Sequence, residues 1–368
     1  MLNRRDFVRL AAAASTATTL PSSLFAQVAV PQKKIRYAVI GLGRISMQHF
    51  MPGTRMGQYG EIAGIVSGHP DKAHKQAAEY GVPEANIYTY ETFDKIKDNA
   101  GIDAVYVALP NNMHAEYTIR AAQAGKHVLC EKPMANTVKD CEAMIAACKK
   151  ADRKLMIAYR CQLQSTYLQA KQMIRDGVIG KVHAIESANG FNIAPNEWRS
   201  DVKYAGGGPL MDVGVYSLNA CRFLLGEEPK DISAYMYTDP QDPRFKGVEE
   251  TVGWTMKFPS GVVAICNTTY GANMEGFIRI HGSKGTIEVF GFGYEGIHMT
   301  LTHTAPSGRG RVEETQNDTS KDPAQFVVES DYFSRCVLDN KEPGPNGDEG
   351  MRDLKIMMQI YDSAKKNA

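Results

Sequence analysis

Neither sign of charge is in excess in this 368-residue chain, where 42 Lys and Arg stand against 41 Asp and Glu. With no basic field to hold nucleic acid, the expected partner is a small molecule. No apolar run approaches the ~20 residues that cross a bilayer, so no membrane association is expected of the mature form. The seven cysteines, at 130, 141, 148, 161, 221, 266 and 336, include no close-spaced pair of the metal-ligating type, and the nine histidines are scattered. Neither a metal site nor a disulfide framework is expected. Cys130 ends the apolar run His127-Val128-Leu129-Cys130, while Cys141 and Cys148 are seven apart on one helix face, so all three read as small core residues. Internal repeats are also missing.

What is present suits two hydrophobic cores, with 43% hydrophobic residues to fill them. Residues 1–30 read as an address and a short lead. Asn3-Arg4-Arg5-Asp6-Phe7-Val8-Arg9 precedes a mildly apolar stretch rich in Ala, Ser and Thr that ends near Phe25-Ala26. That pattern resembles a twin-arginine export signal, which implies folding before export and a periplasmic location. The other reading, a basic amphipathic helix, lacks an apolar stripe at helical spacing between Ala12 and Ala26.

From 31 to 158, strands alternate with helices. KIRYAVI (34–40), Ile62 to Val66, AVYVAL (104–109) and Lys126 to Cys130 are runs of β-formers, with helices expected between them at 71–80 and 114–124. Such spacing implies right-handed crossovers and a doubly wound parallel sheet. From 159 to 368 the rhythm changes to one helix, at 165–176, and then long β-rich segments: 182–187, 232–237, 252–258, 262–270, 278–280 and 286–290. This half predicts an α+β domain with a large, mostly antiparallel open sheet. Alternation in 251–257 implies a sheet covered by helices on one face and flat on the other, and a flat face of this kind is where a homodimer or homotetramer would form.

The first strong strand runs directly into Gly41-Leu42-Gly43-Arg44-Ile45-Ser46. Gly41 permits the tight bend, and Gly43 lets backbone N–H groups approach a pyrophosphate at the helix N-terminus. Ser46 stands where a third small residue belongs. The plainer alternative is an ordinary strand-to-helix turn. About 20 residues further on, a domain built for NAD places a carboxylate on the ribose 2′-hydroxyl. Here the second strand ends Ile65-Val66-Ser67-Gly68-His69, with no carboxylate. Ser67 can donate to a 2′-phosphate, and His69 or Lys72 can add positive charge, so the predicted cofactor is NADP.

Glu131-Lys132-Pro133 follows a buried strand, at the carboxyl end where parallel sheets keep their ligands. Further along, three glycines at 206–208 precede Asp212 and Tyr216, which share a face if a helix starts there. Without a ligand to serve, these would be a surface lysine, a helix-capping aspartate and a core tyrosine.

GLGRIS, VSGHPDKA, LPNNMHAE, AGKHVLCEKPMA, LMIAYRC, AGGGPLMDVGVYSLN and FLLGEEP, in this order, resemble the Gfo/Idh/MocA family, and Tyr at 216 resembles its glucose-fructose oxidoreductase branch. The resemblance covers the chain from Arg36 onward and implies an N-terminal Rossmann domain. By it, Lys132, Asp212 and Tyr216 match the catalytic positions, while Leu109, Pro110, Asn111 and His114 match the nicotinamide-ribose loop. Arg160, Trp198 and Arg199 look like further cofactor and sugar contacts, with Gly68 and Glu131 also at the cofactor, and Arg160 is placed at the substrate with the catalytic three. The activity implied is oxidation of an aldose at C1, with hydride passed from tightly bound NADPH to a second sugar. Tyr216 serves as base, Lys132 steadies the developing alkoxide and Asp212 orients both. The lead is shorter than the proline-rich arm of that branch, so retention is expected from the pyrophosphate turn, the Ser67 region and the interdomain cleft. The alternatives are an NAD-dependent glycoside hydrolase and a conventional NADP-dependent aldose dehydrogenase.

Overall fold

The computed structural model describes residues 33–305 and 310–367; the export-signal reading lies outside them. Six parallel strands form the first sheet: β1 (Ile35–Ile40), β2 (Gly60–Val66), β3 (Ile87–Tyr88), β4 (Ala104–Val107), β5 (His127–Cys130) and β6 (Leu155–Ile157). Their spatial order is β3-β2-β1-β4-β5-β6. The order reverses between β1 and β4, so their carboxyl ends flank the crevice where open sheets of this kind bind ligands. Helices cover both faces, which is why β4 is a continuous buried apolar run and β1 is broken only by Arg36. AVYVAL was expected to be strand throughout, but β4 stops at Val107. Pro110 holds extended geometry as the cap of the helix Asn111–Gln123, and the two residues before it form the turn.

The second sheet has eight strands: β7 (Val182–Gly190), β8 (Asp231–Tyr237), β9 (Thr251–Lys257), β10 (Val263–Thr269), β11 (Met274–Gly282), β12 (Gly285–Phe290), β13 (His298–Thr304) and β14 (Arg311–Asn317). They lie in the order β14-β13-β12-β11-β7-β10-β9-β8. Every neighbouring pair is antiparallel except β7 and β10. The helices Val215–Leu225 and Gly347–Lys366 pack on one face, burying Ala234, Trp254, Ala264 and Cys266. On the opposite face Tyr235, Tyr237, Val263 and Ile265 are exposed.

Residues 324–338, assigned by sequence to the second half, form a helix whose Phe326 and Phe333 pack in the cluster of Tyr37, Phe50 and Tyr106 under the first sheet. Ser334 of that helix hydrogen-bonds the Tyr37 hydroxyl at 2.8 Å. An amphipathic pattern shows which side of a helix is apolar but not which sheet it meets. The seven cysteines are all buried and free.

Candidate active site

One cleft of about 890 Å³ runs from the glycine turn to the centre of the second sheet, and it is lined from both sheets. At its first end Gly41 has φ +94°, and a Cβ there would lie 2.4 Å from the Ala108 carbonyl oxygen. No other residue fits. A Cβ on Gly43 would meet nothing within 4 Å, so the cradle is open at the point where phosphate oxygens approach. Ser46 is fully buried and donates its hydroxyl to the Gly41 carbonyl at 2.6 Å, so it ties the turn down as well as being small. The helix then starts with a wider π-helical stretch, Ile45–Phe50.

Lys72 reaches across to donate to the Leu42 carbonyl at 3.3 Å, which places an ammonium over the turn. Ser67 lines the cleft at the end of β2, its oxygen accepting the His69 N–H at 3.1 Å. Its own hydroxyl hydrogen remains to be donated. Gly68, grouped with these by sequence, does not line the cleft; a Cβ there would press on the Tyr90 ring at 3.0 Å.

Arg44, Ile45, Leu109, Pro110, Asn111 and His114 line the middle of the cleft. Two of them act as scaffold. Asn111 donates to the Ala205 carbonyl at 2.9 Å, and the buried His114 lies with its ring nitrogens 2.9 Å from the carbonyls of Pro133 and Leu109. Burial lowers the His114 pKa, while the two carbonyls, which can only accept, pull it the other way. Its part is to pin the Leu109 and Pro133 backbones beside Lys132.

At the far end Lys132 donates to the Asp212 backbone oxygen at 2.6 Å and to its Oδ1 at 3.1 Å. Arg199 Nε approaches Oδ2 at 3.3 Å, and the Tyr270 hydroxyl donates to the same oxygen at 2.8 Å. Burial alone would raise the Asp212 pKa; the charges of Lys132 and Arg199 and the Tyr270 hydrogen bond outweigh it and hold the carboxyl at about 2. Burial alone would likewise lower the Lys132 pKa, and the groups at Tyr216, Asp212 and Glu131 overcome it and hold the ammonium above the usual lysine range. Asp212 is therefore a fixed anion and Lys132 a fixed cation.

Tyr216 follows Asp212 across a π-helical turn (Leu210–Gly214) that continues as the helix Val215–Leu225. Both side chains reach the cleft, as the sequence spacing required. The Lys132 Nζ lies 4.7 Å from the Tyr216 ring centroid and the Arg160 guanidinium carbon 5.1 Å from it, so two cations flank the phenol. Arg160 is buried and held by the Gly293 carbonyl at 2.9 Å and Gln325 at 2.6 Å. Trp198 stacks under Arg199, 4.6 Å from the guanidinium to the ring, which locates both at the Asp212 end.

Sequence reasoning missed Tyr270, Tyr294, His49 and Glu329, all within or beside this cleft. Each reaches it only through the tertiary fold, and no local pattern announces it. Among the described residues no group of three or more His, Cys, Asp or Glu is placed to hold a metal ion.

A phosphate-cradling turn on a doubly wound sheet, joined by one cleft to a fixed cation–anion–phenol set, defines a dinucleotide-dependent oxidoreductase. The chain belongs to the Gfo/Idh/MocA family: residues 35–159 match its NAD-binding Rossmann-fold domain, and residues 167–288 match its C-terminal domain. It is 31% identical over 337 residues to the D-xylose 1-dehydrogenase [NADP(+)] of Haloarcula marismortui, covering 90% of this chain and 91% of that one. Among solved structures, the aldose-aldose oxidoreductase of Caulobacter crescentus, complexed with glycerol, is 43% identical with a TM-score of 0.86, covering 91% of this chain and 99% of that one. Levoglucosan dehydrogenase, at 23% identity and a TM-score of 0.82, shares the fold over 91% of this chain and 98% of its own.

Proposed function

We propose that the protein is an NADP-dependent sugar oxidoreductase that oxidises an aldose at C1 to the lactone and passes the hydride to a second sugar, giving a polyol. The observation that carries this reading is Tyr216 set between Lys132 and Arg160, with Asp212 locked as an anion beside it. The named activities of the Haloarcula and Caulobacter relatives support NADP and aldoses in turn.

The glycine turn and Lys72 would hold the pyrophosphate end, and Ser67 would donate to the 2′-phosphate. When bound, the nicotinamide supplies the hydride acceptor. Tyr216 takes the proton of the sugar C1 hydroxyl. Lys132 steadies the oxygen as charge develops on it, and Asp212 fixes Lys132 through two contacts. Run backwards, Tyr216 returns a proton as a second sugar carbonyl is reduced.

Transfer between two sugars with retained cofactor fits the twin-arginine pattern, since a periplasmic enzyme would carry its nucleotide out already loaded. Purified protein is therefore expected to keep NADP(H) through gel filtration, identified after denaturation. A protein that elutes empty and turns over only with nucleotide supplied would instead be a conventional aldose dehydrogenase. The exposed face bearing Tyr235, Tyr237, Val263 and Ile265 supports a homo-oligomer formed through the second sheet.

Ser67→Asp tests the choice of nucleotide. A carboxylate repels a 2′-phosphate and hydrogen-bonds a 2′-hydroxyl, so NADP should weaken and NAD improve, by roughly tenfold each for 1.4 kcal/mol. Unchanged preference in a binding titration would locate the phosphate elsewhere.

A further inference from the structure

The chemistry described so far makes no use of Glu329. It lies on the helix Ala324–Leu338, is 0% exposed, and neither of its carboxyl oxygens has a hydrogen-bond partner. A stranded ionised carboxylate is expensive, so this group rests as the neutral acid. Burial drives its pKa well above the usual carboxyl range, and Glu131 adds to that while Arg160 opposes it.

The titratable groups around it are Tyr37 on β1, Tyr106 on β4, Glu131 at the end of β5, and Arg160 and Cys161 after β6, with His49 and Tyr294, which pack on Phe326 of the same helix, lining the cleft beside it. Glu131 already has its oxygens committed, accepting the Tyr106 hydroxyl at 2.5 Å and the Lys132 N–H at 3.2 Å. Glu329 and Gln325 are one helical turn apart, and Gln325 holds the Arg160 that lies over Tyr216. Arg160 Nε is likewise buried without a partner, so the cation that would steady an ionised Glu329 is on the same wall of the cleft.

We propose that Glu329 holds a proton while the bound cofactor is reduced and gives it up when the cofactor is oxidised. An oxidised nicotinamide carries a positive ring charge that reduction removes. A cation in the cleft favours the ionised carboxyl, and its loss favours the acid. When a sugar CH–OH becomes C=O, its C–H bond yields a hydride to the nicotinamide and its O–H bond yields a proton to Tyr216, which passes it on, so that Glu329 holds it until Tyr216 needs it again. The proton returns when the carbonyl of the second sugar receives the hydride and its oxygen is protonated. An enzyme that keeps its cofactor between two sugars would in this way keep its proton too. That purpose rests on the sugar-transfer reading, whereas the proton count does not.

The test equilibrates the holoenzyme with fixed mixtures of NADP+ and NADPH at several pH values and measures the ratio bound. As pH rises the bound ratio should shift toward NADP+, by up to about tenfold per pH unit within the titration window. In Glu329→Gln, which keeps the shape of the neutral acid, the slope should vanish. A pH-independent ratio in the wild type, or an undiminished slope in the variant, overturns the proposal. Should the variant not fold, the infrared difference spectrum of reduced minus oxidised wild-type holoenzyme decides, because a protonated-carboxyl band must appear on reduction and its absence refutes the idea. Sugar turnover is assayed in parallel: its absence with the slope intact would sink the sugar reading and leave Glu329 as the proton-holding group.

Discussion

Tyr216→Phe should lower turnover by roughly 10²- to 10⁴-fold, the range for loss of a general acid–base group, while nucleotide affinity stays within a few-fold of wild type. The ring itself survives in this variant. It keeps its packing on Phe292, with centroids 5.8 Å apart, and its place over the Lys132 and Arg160 cations. Only the hydroxyl is removed, so the loss should fall on kcat for both half-reactions and leave the melting temperature nearly unchanged. Single-turnover reduction of bound nucleotide by an aldose measures this directly. Near wild-type rates would remove Tyr216 from the proton-transfer role.

If Lys132 meets the developing alkoxide as proposed, Lys132→Met should cost a comparable factor, roughly 10²- to 10³-fold in kcat. It should also cost stability. Asp212 loses one of three partners but keeps Arg199 and Tyr270, so the expected penalty is about 1–3 kcal/mol rather than the larger figure for a stranded charge. The pH dependence of melting separates the two effects. With its pKa depressed from 3.8 to about 2, Asp212 contributes stability that is fully present above its unfolded value and lost as pH falls through about 2. Lys132 is the largest charge opposing the burial penalty there, so in the methionine variant the acid limb of the melting curve should move to higher pH. Acid behaviour identical to wild type would mean that the Lys132–Asp212 contact does not persist in solution.

The sequence made the ends of the first sheet legible because strands buried on both faces leave nearly continuous apolar runs, with Gly41 directly after one such run and Lys132 two residues past another. The π-helical turns at Ile45–Phe50 and Leu210–Gly214 were beyond reach, since they depart from α-helical spacing by too little to alter an apolar pattern. Strands β13 and β14 were both missed, the second for a different reason. Arg311, Glu313, Glu314 and Gln316 lie exposed on the edge strand, and their polarity erases the alternation that marks a half-buried strand. The partners of Asp212 and Arg160 were hidden most deeply. Tyr270 closes on Asp212 from the end of β10, and Gln325 closes on Arg160 from a helix far along the chain. Their roles exist only once the two sheets face each other across the cleft.

The most direct measurement follows a deuterium label. Holoenzyme freed of unbound nucleotide is given an aldose deuterated at C1 together with an unlabelled second sugar, and the products are read by mass spectrometry. Transfer through a retained cofactor predicts lactone and polyol in equal amounts, with one deuterium on the polyol carbon that had been the carbonyl and no nucleotide added. Polyol without deuterium, or no turnover until NADP is supplied, would contradict it.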